Sequence, residues 1–118
     1  MHLSNYHSHC SFCDGRSMPE EFVKFALAKS FRAYGISSHG PLPFETFWNM
    51  SAFDMPEYLV EISRLKDKYQ GHLEIYTGME IDYLDTTYNP SIPYFQSLPL
   101  DYRIGSVHFL PIDTELCE

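Results

Sequence analysis

The chain has 118 residues, 44% hydrophobic and 20% charged, a composition that reads as one modest globular domain rather than a disordered or membrane-spanning chain. Sixteen acidic residues against eight basic ones give a formal charge of −8, which repels nucleic-acid backbones and anionic lipid surfaces. No run approaches the ~18 apolar residues of a spanning helix. No basic stretch leads into an apolar one near Met1, and three cysteines form no disulfide framework, so a reducing, cytoplasmic setting is expected.

In chain order the pattern alternates strand and helix. Leu3–Tyr6 is a short strand running into His7 and His9. "SMPEEFVKFALAKS" predicts a helix, with Ser17 as N-cap, Pro19 in the first turn and Glu20 completing a capping box. Phe22, Phe25 and Ala26 fall at helical spacing as its apolar face. Ala33 to Ser37 reads as a second strand ending close to His39. Residues 40–53 form a proline- and aromatic-rich loop too long for a plain connection, a feature that often marks function.

"DMPEYLVEISRLKDKY" predicts a second helix with Asp54 as N-cap and an apolar stripe of Tyr58, Leu59, Ile62 and Leu65. "LEIYTGMEIDYL" is a third strand carrying Glu80. A loop over Asn89–Leu100 precedes "DYRIGSVHFL", a fourth strand reaching His108. The ligand-type residues His7, His9, His39, Glu80 and His108 therefore recur at strand ends. In parallel α/β sheets functional sites gather at the carboxyl ends of the strands, and this coincidence in four successive units is the main signal of the sequence.

His7-Ser8-His9 is an HxH pair on or just after a strand, where alternation sends both imidazoles to one side, within reach of one metal ion. Asp14 in "FCDGR" reads equally as a turn residue and as a hard oxygen ligand. His39, alone at a strand end, stands open between a satisfied polar residue and a ligand. Glu80 and His108 carry more weight, because a carboxylate or imidazole in an apolar strand costs several kcal/mol unless it is paired or metal-bound. A glutamate can also bridge two metals and hold a hydroxide between them.

Other ligand-type residues fit plainer readings. Asp82 and Asp85 are expected to face solvent or order a loop, and His2 and His72 to be surface residues. The Cys10-x-x-Cys13 pair lies ahead of the helix rather than opening it, and no second ligand pair stands at zinc-finger spacing. Neither a redox motif nor a structural zinc site follows, and Cys117 belongs to no motif. Neither GxSxG nor GxxxxGK[ST] occurs.

The motifs "HSHCSFCDG", "AYGISSHGPLPF", "WNM", "GMEIDY" and "DYRIGSVHFL", in that order from about Tyr6 to Leu110, resemble the histidinol-phosphatases of the polymerase-and-histidinol-phosphatase (PHP) family. The resemblance implies the first four β/α units, roughly, of a distorted (β/α)7 TIM-like barrel with up to three divalent metal ions (zinc, manganese or iron) at the strand carboxyl ends. It implies hydrolysis of a phosphate monoester, L-histidinol phosphate, in histidine biosynthesis. Carried onto this chain, His7 and His9 would hold the first metal, Glu80 would bridge to the second, His108 would help bind the second, and Asp14 and His39 would belong to the third.

The family pattern continues for about three further strand–helix units, with another histidine, an aspartate–histidine pair and phosphate-clamping basic residues, none visible after His108. The sequence is therefore expected to be a single incomplete PHP domain, residues 1–118. Two further readings stand beside the phosphatase: a PHP phosphoesterase acting on nucleotides or nucleic acid, and an inactive metal-binding half-domain whose barrel an oligomer or partner chain completes. Arg16 reads as solvated or as a phosphate contact, and Pro41–Phe44 with Trp48 as a wall for the imidazole of the substrate.

Overall fold

The computed structural model describes residues 3–10, 18–44, 46, 48–107, 110–112 and 115–117. Four parallel strands form one sheet in the sequential order β1 (Leu3–Asn5), β2 (Phe31–Ile36), β3 (Glu74–Asp82) and β4 (Tyr102–Ser106). Between them run α1 (Pro19–Ala28), α2 (Met55–Lys68) and the single turn α3 (Pro93–Gln96), as parallel strands require a crossover. The predicted alternation holds, with α3 added inside what the sequence reads as a plain loop. Beyond β4, β5 (Leu110–Ile112) and β6 (Glu115–Cys117) pair antiparallel as a separate two-stranded unit.

The sequence reading predicts a fourth strand running to His108, but β4 ends at Ser106, and Val107 is exposed and outside any strand. Parallel pairing explains the limit: β4 stays in register with β3 only from Gly78↔Tyr102 to Asp82↔Ser106, where β3 itself ends. His108 lies outside the described residues, as do Asp14, Arg16, Ser17 and Cys13.

Helix α1 differs from its prediction in two ways. Its N-cap is Met18 in extended backbone, with Pro19 as the first helical residue and no side-chain cap. Glu20, expected in a capping box, reaches instead to the second helix, accepting from Arg64 Nη2 at 3.0 Å, from Tyr69 Oη at 2.7 Å and from Lys68 Nζ. The buried face is Pro19, Val23 and Ala26 with Phe22 packed against it, whereas Phe25 is 53% exposed. A 3.6-residue period puts 19, 22–23 and 26 on one stripe and leaves position 25 at its edge, where Phe25 meets Phe31 and Lys29.

Helix α2 follows its predicted stripe, with Tyr58, Ile62 and Leu65 fully buried and Leu59 packed beside them. Truncating Ile62 to alanine would cost about 2–5 kcal/mol by cavity formation. Asp54 is its N-cap residue by position but makes no side-chain cap. Ser51 supplies the local bonds, its Oγ taking the Asp54 N–H at 3.0 Å and its carbonyl the Met55 N–H at 3.2 Å. Gly71, at φ 86°, makes the left-handed turn from α2 into β3.

The core lies between these helices and the sheet, where Ile36, Ile75, Met79 and Ile81 meet α1 and α2. Among the described residues no helix is long and apolar enough to cross a membrane.

Candidate metal centre

The carboxyl ends of β1, β2 and β3 converge on the Glu80 side chain. Glu80 is 5% exposed, near the end of a strand that is buried from Thr77 to Asp82. Its backbone is bridged to the segment after β2: the Glu80 N–H donates to Ser38 O at 3.0 Å, and Gly40 N–H donates to Glu80 O at 2.8 Å. This isolated parallel bridge sets His39 opposite Glu80. The register of β2 and β3 thus places two of the residues singled out from sequence side by side.

Among the described residues, three imidazoles surround the carboxylate. His7 Nε2 lies 2.6 Å and His9 Nε2 3.0 Å from Glu80 Oε1, while His39 Nδ1 lies 3.3 Å from Oε2. The His7 and His9 rings are 5.1 Å apart and the His9 and His39 rings 4.2 Å. His7 is more than half exposed, His9 is partly covered and His39 is buried, so the site opens on one side. Ser8, between the two histidines, turns the other way and donates its hydroxyl to Gly35 O at 2.8 Å. That is the alternation expected of HxH at a strand end.

Burial works to raise the Glu80 pKa, but the neighbouring His39 charge and the hydrogen bonds from His7 and His9 outweigh it. The carboxyl is held below the ordinary 4.5 of a glutamate and is ionised at neutral pH. The donor atoms of His7, His9 and Glu80 all lie within 4.8 Å of one another, an arrangement that can hold a metal ion. A set of two imidazole nitrogens and one carboxylate oxygen with an open side suits zinc, manganese or iron.

His39 and Glu80 are thus brought together with the HxH pair, whereas Asp14 and His108 lie outside the described residues. Asp82, expected to face solvent or order a loop, is buried at 4% exposure and accepts the Ser106 hydroxyl at 2.8 Å. Two residues after Glu80, it falls on the same side of β3, and pairing in register with Ser106 covers it. His72 is exposed, as expected. Cys10 is a fully buried core residue with its Sγ 3.2 Å from Ser38 Oγ.

Trp48 sets its ring edge-on to His39 at 5.0 Å, so it supports a site residue directly. Tyr88 donates to Pro41 O at 2.6 Å and ties the loop after β2 to the loop after β3. The residues around the site that sequence reasoning missed are hydroxyls: Ser8, Ser37, Ser38 and Tyr58. Tyr58, on α2, is bonded at once to Ser38 N (3.2 Å), Ile36 O (3.0 Å) and Gly78 O (2.8 Å). Only the run of small polar residues before His39 hinted at them.

The PHP domain model matches residues 5–116. The chain belongs to the PHP domain family. The histidinol-phosphatase of Bacillus subtilis is 34% identical over 94% of this PHP chain and 46% of its own length. That of Lactococcus lactis is 30% identical over 88% and 38% respectively. A crystal structure of histidinol phosphate phosphatase from Lactococcus lactis, complexed with zinc, L-histidinol and phosphate, superposes with a TM-score of 0.76 at 28% identity. It covers 94% of this chain and is covered over 41% of its own. The chain spans less than half the length of the curated relatives it matches. Its four parallel strands correspond to part of the PHP barrel, as the sequence resemblance implies.

Proposed function

We propose that this PHP domain contributes the metal-binding strands of a cytoplasmic phosphomonoesterase that hydrolyses L-histidinol phosphate to L-histidinol and phosphate in histidine biosynthesis. The observation that carries the reading is the buried Glu80 carboxylate, with two imidazoles on one oxygen and a third beside the other. Histidinol-phosphatases as relatives, and a related structure holding zinc, L-histidinol and phosphate, support the choice of substrate.

His7, His9 and Glu80 would hold one divalent ion, and Glu80 would bridge to a second that His108 helps bind. His39 and Asp14 would belong to a third. A divalent ion there supplies positive charge for the phosphate oxygens and lowers the pKa of water. The chain's own residues supply the rest. Glu80 stays ionised, so it offers both oxygens as acceptors at neutral pH. His39, held between the Glu80 backbone and the Trp48 ring, keeps a fixed orientation. The open side beside His7 is the side from which a phosphate can approach.

The acidic balance of the chain argues against a nucleic-acid substrate. The test is a side-by-side assay of L-histidinol phosphate and a single-stranded oligonucleotide with added zinc or manganese. Phosphate release from L-histidinol phosphate that disappears in Glu80→Gln supports the reading, and preferential release of nucleotides overturns it. A chain that binds metal yet turns over neither substrate until another chain is added is instead a module completed by its partner.

A further inference from the structure

We infer that Tyr102 is a positioning residue for this centre: its hydroxyl, together with that of Ser37, clamps the Tyr6 carbonyl and so fixes the backbone from which His7 and His9 project. The inference rests on the reading of His7, His9 and Glu80 as metal ligands.

Tyr102 opens β4, three strands away from β1 in the sheet order. Neighbouring strands lie about 4.8 Å apart, so a flat sheet would separate β1 from β4 by roughly 14 Å, beyond the reach of one tyrosine. Yet the Tyr102 hydroxyl donates to Tyr6 O, just past the end of β1. The side chain therefore crosses the concave face of a curled sheet and ties its first strand to its fourth.

Two glycines make the crossing possible. A Cβ on Gly78, which pairs in register with Tyr102, would sit 2.7 Å from the ring atom Cε1, and a Cβ on Gly35 would sit 2.9 Å from Cζ. Both distances are inside van der Waals contact, so the ring lies where only glycine backbone leaves space. The Tyr6 ring packs against Tyr102 edge-on at 6.0 Å.

The clamp acts on one peptide unit. The Tyr6 carbonyl and the His7 N–H belong to the same rigid plane. The carbonyl accepts from Tyr102 and, at 3.1 Å, from Ser37 Oγ, while the His7 N–H donates to Asn5 Oδ1 at 2.9 Å. The next two units are held as well: Ser8 N–H donates to Ser37 Oγ at 3.3 Å, and Ser37 N–H donates to Ser8 O at 2.8 Å. Burial pushes the Tyr102 phenol up to about 12, so it remains a donor throughout the physiological range. Groups that orient metal ligands without touching the metal commonly govern affinity by about 10–100-fold.

The Tyr102 ring and hydroxyl can be separated experimentally. Tyr102→Phe keeps the ring over both glycines and removes the clamp alone. Zinc affinity of the 118-residue chain, measured by competition with a chromophoric chelator, is expected to fall at least ~10-fold, while the metal-free melting temperature moves by no more than roughly 4 °C. Ser37→Ala, which removes the other hydroxyl, should weaken zinc binding in the same direction. Unchanged zinc affinity in Tyr102→Phe overturns the inference. So does loss of cooperative melting, which would make the hydroxyl a determinant of the whole fold. A wild-type chain that binds no zinc instead defeats the ligand reading itself, and the inference with it.

Discussion

Tyr58 is the point at which helix packing and site geometry meet, and Tyr58→Phe tests that connection. The side chain is fully buried, and its hydroxyl touches Ser38 N, Ile36 O and Gly78 O at 2.8–3.2 Å. Phenylalanine fills nearly the same volume, so the change isolates the oxygen from the packing. The Ser38 N–H loses this acceptor inside the core, and two carbonyls lose a shared donor. A buried group left without its partner costs about 1–3 kcal/mol. With an unfolding entropy near 2.1 cal/mol/K per residue, a chain of this length loses about 4 °C per kcal/mol, hence roughly 4–12 °C in Tm. Thermal melting by circular dichroism, supported by urea titration, is the assay. A drop below about 1 °C would refute the reasoning, because the N–H would then have found another partner at no cost. The effect should reach the site too, since Ser38 O accepts the Glu80 N–H and the adjacent residue is His39.

Glu80→Gln should abolish tight zinc binding by the His7–His9 pair, read by the same chelator competition; retained affinity would remove Glu80 from the ligand set. Gly78→Ala drives a methyl into the Tyr102 ring and should destabilise the chain by about 1–3 kcal/mol in urea unfolding. The Glu20 carboxyl, hydrogen-bonded by Lys68, Tyr69 and Arg64, is lowered to about 2. A carboxyl with a depressed folded pKa contributes stability that is present above the unfolded value of 4.5 and is lost as pH falls toward 2. Melting temperature against pH should therefore fall less steeply between 4.5 and 2 in Glu20→Gln than in the wild-type chain, and added salt should shrink the difference.

How far the sequence reached can be judged residue by residue. The β/α alternation was legible because strand and helix differ in the period of their apolar residues, and α2 carries its stripe as predicted. Strand-end placement of His7, His9, His39 and Glu80 was legible for the same reason: alternation and parallel order are local rules with one structural outcome. The α1 face was misread at Phe25 because adjacent apolar residues, Phe22, Val23 and Phe25, offer two stripes, and only contact with β2 selects between them. Asp82 was misread because a carboxylate near a strand end looks solvated until the neighbouring strand covers it.

Sequence alone therefore determined which side chains could serve as ligands and at which end of the sheet they gather, since both follow from residue chemistry and short-range periodicity. Tertiary structure decided the distances among them. His7 and His9 meet Glu80 across more than seventy residues of chain, and Tyr102 meets Tyr6 across ninety-six. Such contacts depend on strand register and sheet curl, and no local pattern encodes either. The Tyr102 ring likewise rests on two glycines, a relation that exists only once β2, β3 and β4 lie side by side.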